Sequence, residues 1–307
     1  ECLLWDVGEE LQSQVTTPAL ALGNKNARRV FYSRESQSGS WPTGRELFQL
    51  SAGDCDPASA NYQQCLDHLD GLGIRPQPVP ADLSAQEARA IAIVDQTFAL
   101  KNAIVDEVDP ATGAAVTRPI DYILGDTFHS TPLVVGTPPS TSFFAADKFT
   151  ELGDPTASCE SGNNKGYRCF FRKHQLRRRV LLFGSNEGMI HAVDSGNFRV
   201  SGSDPITNKS LTNEFDNCLV KEIFGFIPRS VMSGVREIAE GDAHRFTVVG
   251  PLVAGDVFID PVDNGGTFPE PSDREWRTVL VACLREGGPG VYALDITQPD
   301  HLNNSFE

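Results

Sequence analysis

The chain has 307 residues, 40% of them hydrophobic, and a formal charge of −15, enough apolar material for a real core in one large or two modest domains. Such an acidic balance argues against nucleic acid, or an anionic membrane face, as a partner. No apolar stretch approaches ~18 residues, so no membrane span is expected.

The chain begins at Glu1 without Met, carries no leader-like segment, and stops soon after a strand-like motif. It reads as a mature or trimmed portion of a longer product. Residues 1–120 form a mixed helical and irregular connecting segment. Leu3 to Leu11 has the spacing of a short amphipathic helix. Arg29-Val-Phe-Tyr-Ser33 is predicted as a strand. Residues 34–82 are loop-rich, with prolines at 76, 78 and 80. Ser84-Ala-Gln-Glu87 has the pattern of a capping box and opens a helix to about Asn102. Val108-Asp-Pro-Ala-Thr-Gly113 is turn chemistry.

From residue 121 the pattern changes to short strands. Val180 to Phe183 is an unbroken apolar run, read as a strand buried on both faces. Ser185-Asn-Glu-Gly188 is a turn, and Met189 to Asp194 is a second strand ending Ala-Val-Asp. The unit returns as Thr278-Val-Leu-Val-Ala-Cys283, a glycine-containing turn, and a strand ending Ala293-Leu-Asp295. A similar strand precedes each unit, at Thr131-Pro-Leu-Val-Val-Gly136 and Gly250-Pro-Leu-Val-Ala-Gly255. Glu222-Ile-Phe-Gly-Phe-Ile-Pro228 adds a fourth strand to the first unit. Four strands per repeat is the arithmetic of a β-propeller blade. From Pro132 to Pro251 the repeat far exceeds the ~40–50 residues of a plain blade, so long insertions must lie at residues 137–179 and 196–221. A short helix is predicted from Ser230 to Ala239, where Val231, Met232, Val235 and Ile238 share a face.

The run from Leu124-Gly-Asp-Thr-Phe-His-Ser-Thr-Pro to Gly136, the Gly184-to-Asp194 segment, Phe226-Ile-Pro228, Gly255-Asp-Val-Phe258 and Val291-Tyr-Ala-Leu-Asp-Ile-Thr297 resemble, in order, motifs of the type IV pilus tip-associated, PilC/PilY-type, proteins of Gram-negative bacteria. The likeness covers residues 121–299 strongly and 1–120 loosely. It departs at Phe246-Thr-Val-Val-Gly250, where the family has an acid at the position of Val249. The resemblance implies a mainly β fold. Residues 121–307 would be an incomplete β-propeller of about two quinoprotein-like blades with long loop insertions, the second blade lacking its outer strand. It also implies an exported protein at the pilus tip or outer-membrane surface, a fimbrial adhesin acting in pilus biogenesis and cell adhesion. Its partners would be minor pilins and a host or abiotic surface. Some relatives carry a calcium loop later in the propeller, which would fall beyond residue 307, so no cofactor is expected in this stretch.

Seven cysteines are present, and Cys55 and Cys65 are spaced as Cys159 and Cys169 are. Both pairs lie in polar loops and are expected to form disulfides, as in exported proteins. The alternative is free thiols in a cytosolic chain. Cys283 reads as a buried small hydrophobe, while Cys2 and Cys218 are left open. Arg172-Lys-His-Gln-Leu-Arg-Arg-Arg179 is a basic cluster on an acidic chain. Arg172, Lys173, Arg177, Arg178 and Arg179 are therefore candidate partner-binding residues, weighed against a solvated edge that blocks strand aggregation.

No residues are assigned to catalysis or metal binding. The six histidines make no metal-ligand spacing, and His129 and His191 read as hydrogen-bonded strand residues. Gly184-Ser-Asn-Glu-Gly188 is not a nucleophile elbow, and no helix follows Gly287-Gly-Pro-Gly290 to complete a phosphate cradle. The competing reading is a quinoprotein oxidoreductase on a propeller, disfavoured because the chain has no Cys-Cys dipeptide. A reduced intracellular propeller scaffold is a third.

Overall fold

In a computed structural model, the apolar runs become strands where tertiary pairing covers them, and the protein is mainly β. The residues described are 28–34, 44–98, 103–108, 112–120, 124–138, 159, 165–217, 221–241, 244–260 and 274–299. The expected helix at Leu3–Leu11, Cys2 and Cys218 lie outside them.

A six-stranded sheet takes β1 (Val30–Arg34), β2 (Gly44–Leu47), β5 (Leu133–Val135), β6 (Val180–Gly184), β7 (Ile190–Asp194) and β10 (Glu222–Ile227) in the order β2-β1-β10-β7-β6-β5. The strands β5, β6, β7 and β10 are the four foreseen, all antiparallel. The addition at the far edge was not foreseen. β1 runs parallel to β10, with Val30 opposite Gly225 and Tyr32 opposite Ile227, so a strand from the stretch read as a connecting segment is hydrogen-bonded into this sheet. Both faces of β7 are buried, so its polar residues, His191 and Asp194, must find partners inside the fold.

A second, three-stranded antiparallel sheet is β11 (Leu252–Ile259), β12 (Glu275–Cys283) and β13 (Val291–Asp295). Its strands match the three predicted for the second repeat. No closed ring of sheets forms among the described residues. Two further hairpins, β3 (Ala103–Val108) with β4 (Ala115–Ile120) and β8 (Phe198–Ser203) with β9 (Ser210–Phe215), form two-stranded sheets. The first closes over the predicted turn around Gly113, and the second lies inside the insertion at 196–221.

Four α-helices are described: α1 (Tyr62–Gly71), α2 (Ser84–Phe98), α3 (Tyr167–His174) and α4 (Met232–Ala239). α4 follows a 3-10 turn at Arg229–Val231, as its periodicity predicted. Neither α1 nor α3 was predicted, since both lie in stretches read as loop. The capping box at Ser84 does not form in the expected way. Asp82 accepts the Ser84 backbone N–H at 2.9 Å, and Glu87 instead holds the Gly53 and Cys55 N–H groups at 2.9 and 2.7 Å.

One core joins the two sheets and three helices. Leu182 and Ile190 of the first sheet, Leu280 and Ala282 of the second, Leu69 of α1, Ile93 of α2 and Met232 of α4 belong to it. The linker between the sheets is pressed flat against them, and a Cβ at Gly250 would collide with the Cys283 carbonyl. Disulfides join Cys55 to Cys65 and Cys159 to Cys169, with Cα atoms 5.3 and 5.0 Å apart. Cys283 has a free thiol and is half-buried rather than buried, because it sits on the uncovered face of β12. No helix among the described residues is long and apolar enough to cross a membrane.

Candidate functional site

The turn Ser185–Gly188 is a hub. Gly188 takes φ +99°, and any side chain there would meet Val235 of α4. The Asn186 N–H donates to the Asp126 carbonyl at 2.9 Å and its amide to the Asp126 carboxylate at 2.7 Å. Asn186 Oδ1 accepts from the Thr247 N–H at 3.2 Å. The turn thereby ties the lead-in loop before β5 to the linker before β11.

Behind it lies a closed charge network. His191 is bracketed by Glu187 and Glu222, each 2.7 Å from one ring nitrogen. Arg28, from the residue pair just before β1, reaches Glu222 at 2.7 Å and Glu187 at 3.4 Å. Its Nη1 donates to the Phe98 carbonyl at 3.1 Å, and Glu187 accepts the Gly125 N–H. All four charged side chains are essentially excluded from solvent. Burial alone would lower the His191 pKa, but the two carboxylates outweigh it and raise it. Burial would likewise raise Glu222, yet Arg28 and His191 hold it down to about 2. Two cations and two anions balance inside the sheet. With no opening to solvent, this constellation positions β1 against β10 and is not built to take a ligand. His191 is therefore the hydrogen-bonded strand residue expected. Sequence reasoning missed Arg28, Glu187 and Glu222, and the only local signal was an acid inside a tight turn between two apolar strands.

His129 is not a strand residue. It stands in the lead-in loop at φ 60°, 3.6 Å from Glu286. With Phe128, Phe246 and His244 it makes an exposed aromatic patch where segments flanking both sheets meet. The Phe128 and Phe246 rings are 5.5 Å apart and 43% and 45% exposed. His244 stands 3.0 Å from Asp126.

The candidate basic residues part company. Arg172 and Lys173 end α3 and are exposed. Arg177 bridges the sheets: it donates to the Gly136 carbonyl at 2.5 Å, to Thr278 Oγ1 at 2.8 Å and to the Thr297 carbonyl at 3.1 Å. Arg178 holds Asn197 at 2.7 Å and lies 3.4 Å from Asp194. Arg179 lies over the Phe215 ring at 3.8 Å. The same insertion packs Tyr167 and Phe170 against Trp276 of the second sheet, and Tyr167 donates to Asp256 at 2.6 Å. Stapled by Cys159–Cys169, it works as a strap from one sheet to the other. Among the described residues, no group of three or more His, Cys, Asp or Glu side chains is placed to hold a metal ion.

Comparison with known proteins gives a consistent result. The chain is 30% identical over 195 residues to the type IV pilus biogenesis factor PilY1 of Pseudomonas aeruginosa, a match covering 62% of this chain and 12% of that protein. It is 29% identical over 181 residues to a PilY1 homolog of Xylella fastidiosa, covering 59% of this chain and 11% of the relative. The chain thus spans about an eighth of the length of these relatives. The crystal structure of the P. aeruginosa PilY1 C-terminal domain matches at 26% identity over 54% of this chain and 23% of that one, with a TM-score of 0.27. No protein-family model matches the chain.

Proposed function

We propose, from the premise that this chain is a member of the PilY1-type family, that it acts in type IV pilus biogenesis as an exported binding protein rather than as an enzyme. The observation that carries this is the likeness to pilus biogenesis factors over three fifths of the chain. The finer reading is a tip-associated adhesin that contacts minor pilins and a host or abiotic surface. The exposed Phe128–Phe246 patch and the strapped insertions are where such contacts belong, since loops on a rigid scaffold carry most binding residues.

The incomplete propeller belongs to the same proposal, and the repeat itself supports it. By the shared Ala-φ-Asp ending, Val180, Leu182, Ala192 and Asp194 correspond to Val279, Val281, Ala293 and Asp295. In the first sheet that face is covered, and its Val180, Leu182 and Ala192 share a core with Leu280 and Ala282 of the second sheet. In the second sheet the same face leaves Val253, Val281 and Val291 39–64% exposed. A third sheet stacking as the second stacks on the first would cover it.

The test is a graft. The matched segment of P. aeruginosa PilY1 is replaced by the corresponding residues of this chain, and surface pili are counted by electron microscopy. Pili near the parental number are expected. A stable, exported chimera with no surface pili would overturn the biogenesis reading. Purified minor pilins that fail to bind the same chimera would remove the tip-contact reading alone.

A further inference from the structure

We propose that the groove between the end of α3 and the β8–β9 hairpin is a binding site for an acidic peptide segment. The groove holds about 460 Å³ and is lined by Lys173, His174, Leu176, Arg177, Arg178 and Phe198 among others, with no acidic side chain in its lining. On a chain of formal charge −15, this is a local reversal of sign. An acidic partner is repelled by most of the surface and drawn to this groove, which fixes where it docks.

The lining divides the work. Arg177 is set in place by Thr278 at 2.8 Å, and Arg178 by Asn197 at 2.7 Å and by Asp194 at 3.4 Å, so both guanidiniums are positioned before a ligand arrives and Lys173 supplies the charge that is not already paired. Lys173 is exposed and, among the described residues, has no acidic partner, leaving it able to swing onto a carboxylate. His174 is buried and lines the groove. Burial, then the nearby Arg177 and Lys173 charges, lowers its pKa to about 4, so the ring is neutral at pH 7 and can donate one N–H. Leu176 is 50% exposed and Phe198 is half-buried, which gives the groove an apolar rim. A free phosphate would use the charges and leave that rim idle. A peptide with carboxylates beside apolar side chains uses both. The inference goes beyond the pilus reading and does not depend on it.

The test is fluorescence anisotropy on the full 307-residue chain. The probe is a rhodamine-labelled octapeptide alternating glutamate and leucine, with a glutamine-for-glutamate twin as control. The acidic probe should bind at least ~10-fold tighter than its twin at low ionic strength, a gap of about 1.4 kcal/mol, and the gap should narrow as salt shortens the Debye length. Lys173→Glu should weaken binding by at least ~5-fold through local charge reversal, while Arg172→Glu, one residue away and outside the groove, should change it less than ~2-fold. Urea midpoints of both variants should stay with the parent. Equal binding of the twin, or equal losses from the two variants, would overturn the site. Displacement of the probe by inorganic phosphate at the probe's own concentration would show a small-anion site and end the peptide proposal.

Discussion

The two sheets carry the same strand–turn–strand motif and use it in opposite surroundings. In the first, β7 is buried on both sides, and a salt-bridged network occupies the face turned away from the second sheet. In the second, one face joins the shared core while the other leaves Val253, Val281 and Val291 open. The position of His191 is filled by Tyr292, whose hydroxyl bonds Ser230. The motif fixes a backbone shape, and what stacks on each face decides whether a position tolerates valine, needs leucine, or must be neutralised by a partner.

The sharpest way to break the contrast is to remove Arg28. Arg28→Ala leaves Glu222 and Glu187 buried without their guanidinium and should destabilise the protein by about 3–5 kcal/mol, read as a lower urea midpoint. Arg277→Ala removes the more accessible ion pairs to Asp295 and Glu275 of the second sheet and should cost no more than about 1 kcal/mol.

Next in size is the strap. Replacing Cys159 and Cys169 together by Ser should cost about 2–4 kcal/mol, mainly through the unfolded chain. Amide exchange in β11 and β12 should accelerate more than in β6 and β7, because the strap covers the second sheet. Equal acceleration would show that it has no preferred side.

Acidification separates buried histidines by surroundings. Burial lowers His68 to about 4, so the fold favours its neutral form, and stability should decline as pH falls from about 6.5 to about 4, by roughly 1–3 kcal/mol. His68→Phe should flatten that limb in urea titrations at stepped pH. His191 acts in the other sense. Its raised pKa makes its contribution complete below about 6.5 and lost as pH climbs through the folded value, and Glu222 contributes above about 4.5 and loses its effect only as pH falls to about 2. His191→Gln should therefore flatten the alkaline side and leave the acid limb.

The smallest effect is at Val281, and its covered counterpart Leu182 gives the contrast. Val281→Thr on the open face should stay within about 0.5 kcal/mol, whereas Leu182→Ala at the corresponding covered position should cost about 2–5 kcal/mol. A large loss at Val281 would mean that its face is covered in solution.

The strands of both repeats were legible because each is a short apolar run bounded by turn residues, a purely local signal. The turn at Ser185–Gly188 was legible for the same reason. The parallel pairing of Val30–Arg34 with Glu222–Ile227 was not, since nothing in either stretch names its partner. Nor was the role of Arg28: an arginine before a strand is ordinarily solvated, and only the folded chain shows it facing two acids. The helices Tyr62–Gly71 and Tyr167–His174 were hidden by polar composition, and their burial comes from packing against distant strands. Among the basic candidates, the sequence grouped five cations into one patch. The structure divides them, because each successive residue after Leu176 points to a different neighbour.

The parallel strand has a consequence in time. Val30 is made long before Gly225, the residue it faces. At synthesis rates of roughly 5–20 residues per second, the edge of the first sheet waits about 10–40 s for its partner. Through the first 159 residues of that interval Arg28 has neither of its acids, and β1 has only β2 beside it. The sheet is completed only when its earliest strand meets one of its latest, so the pairing of β1 with β10 closes a long loop and belongs to the late, non-local part of folding.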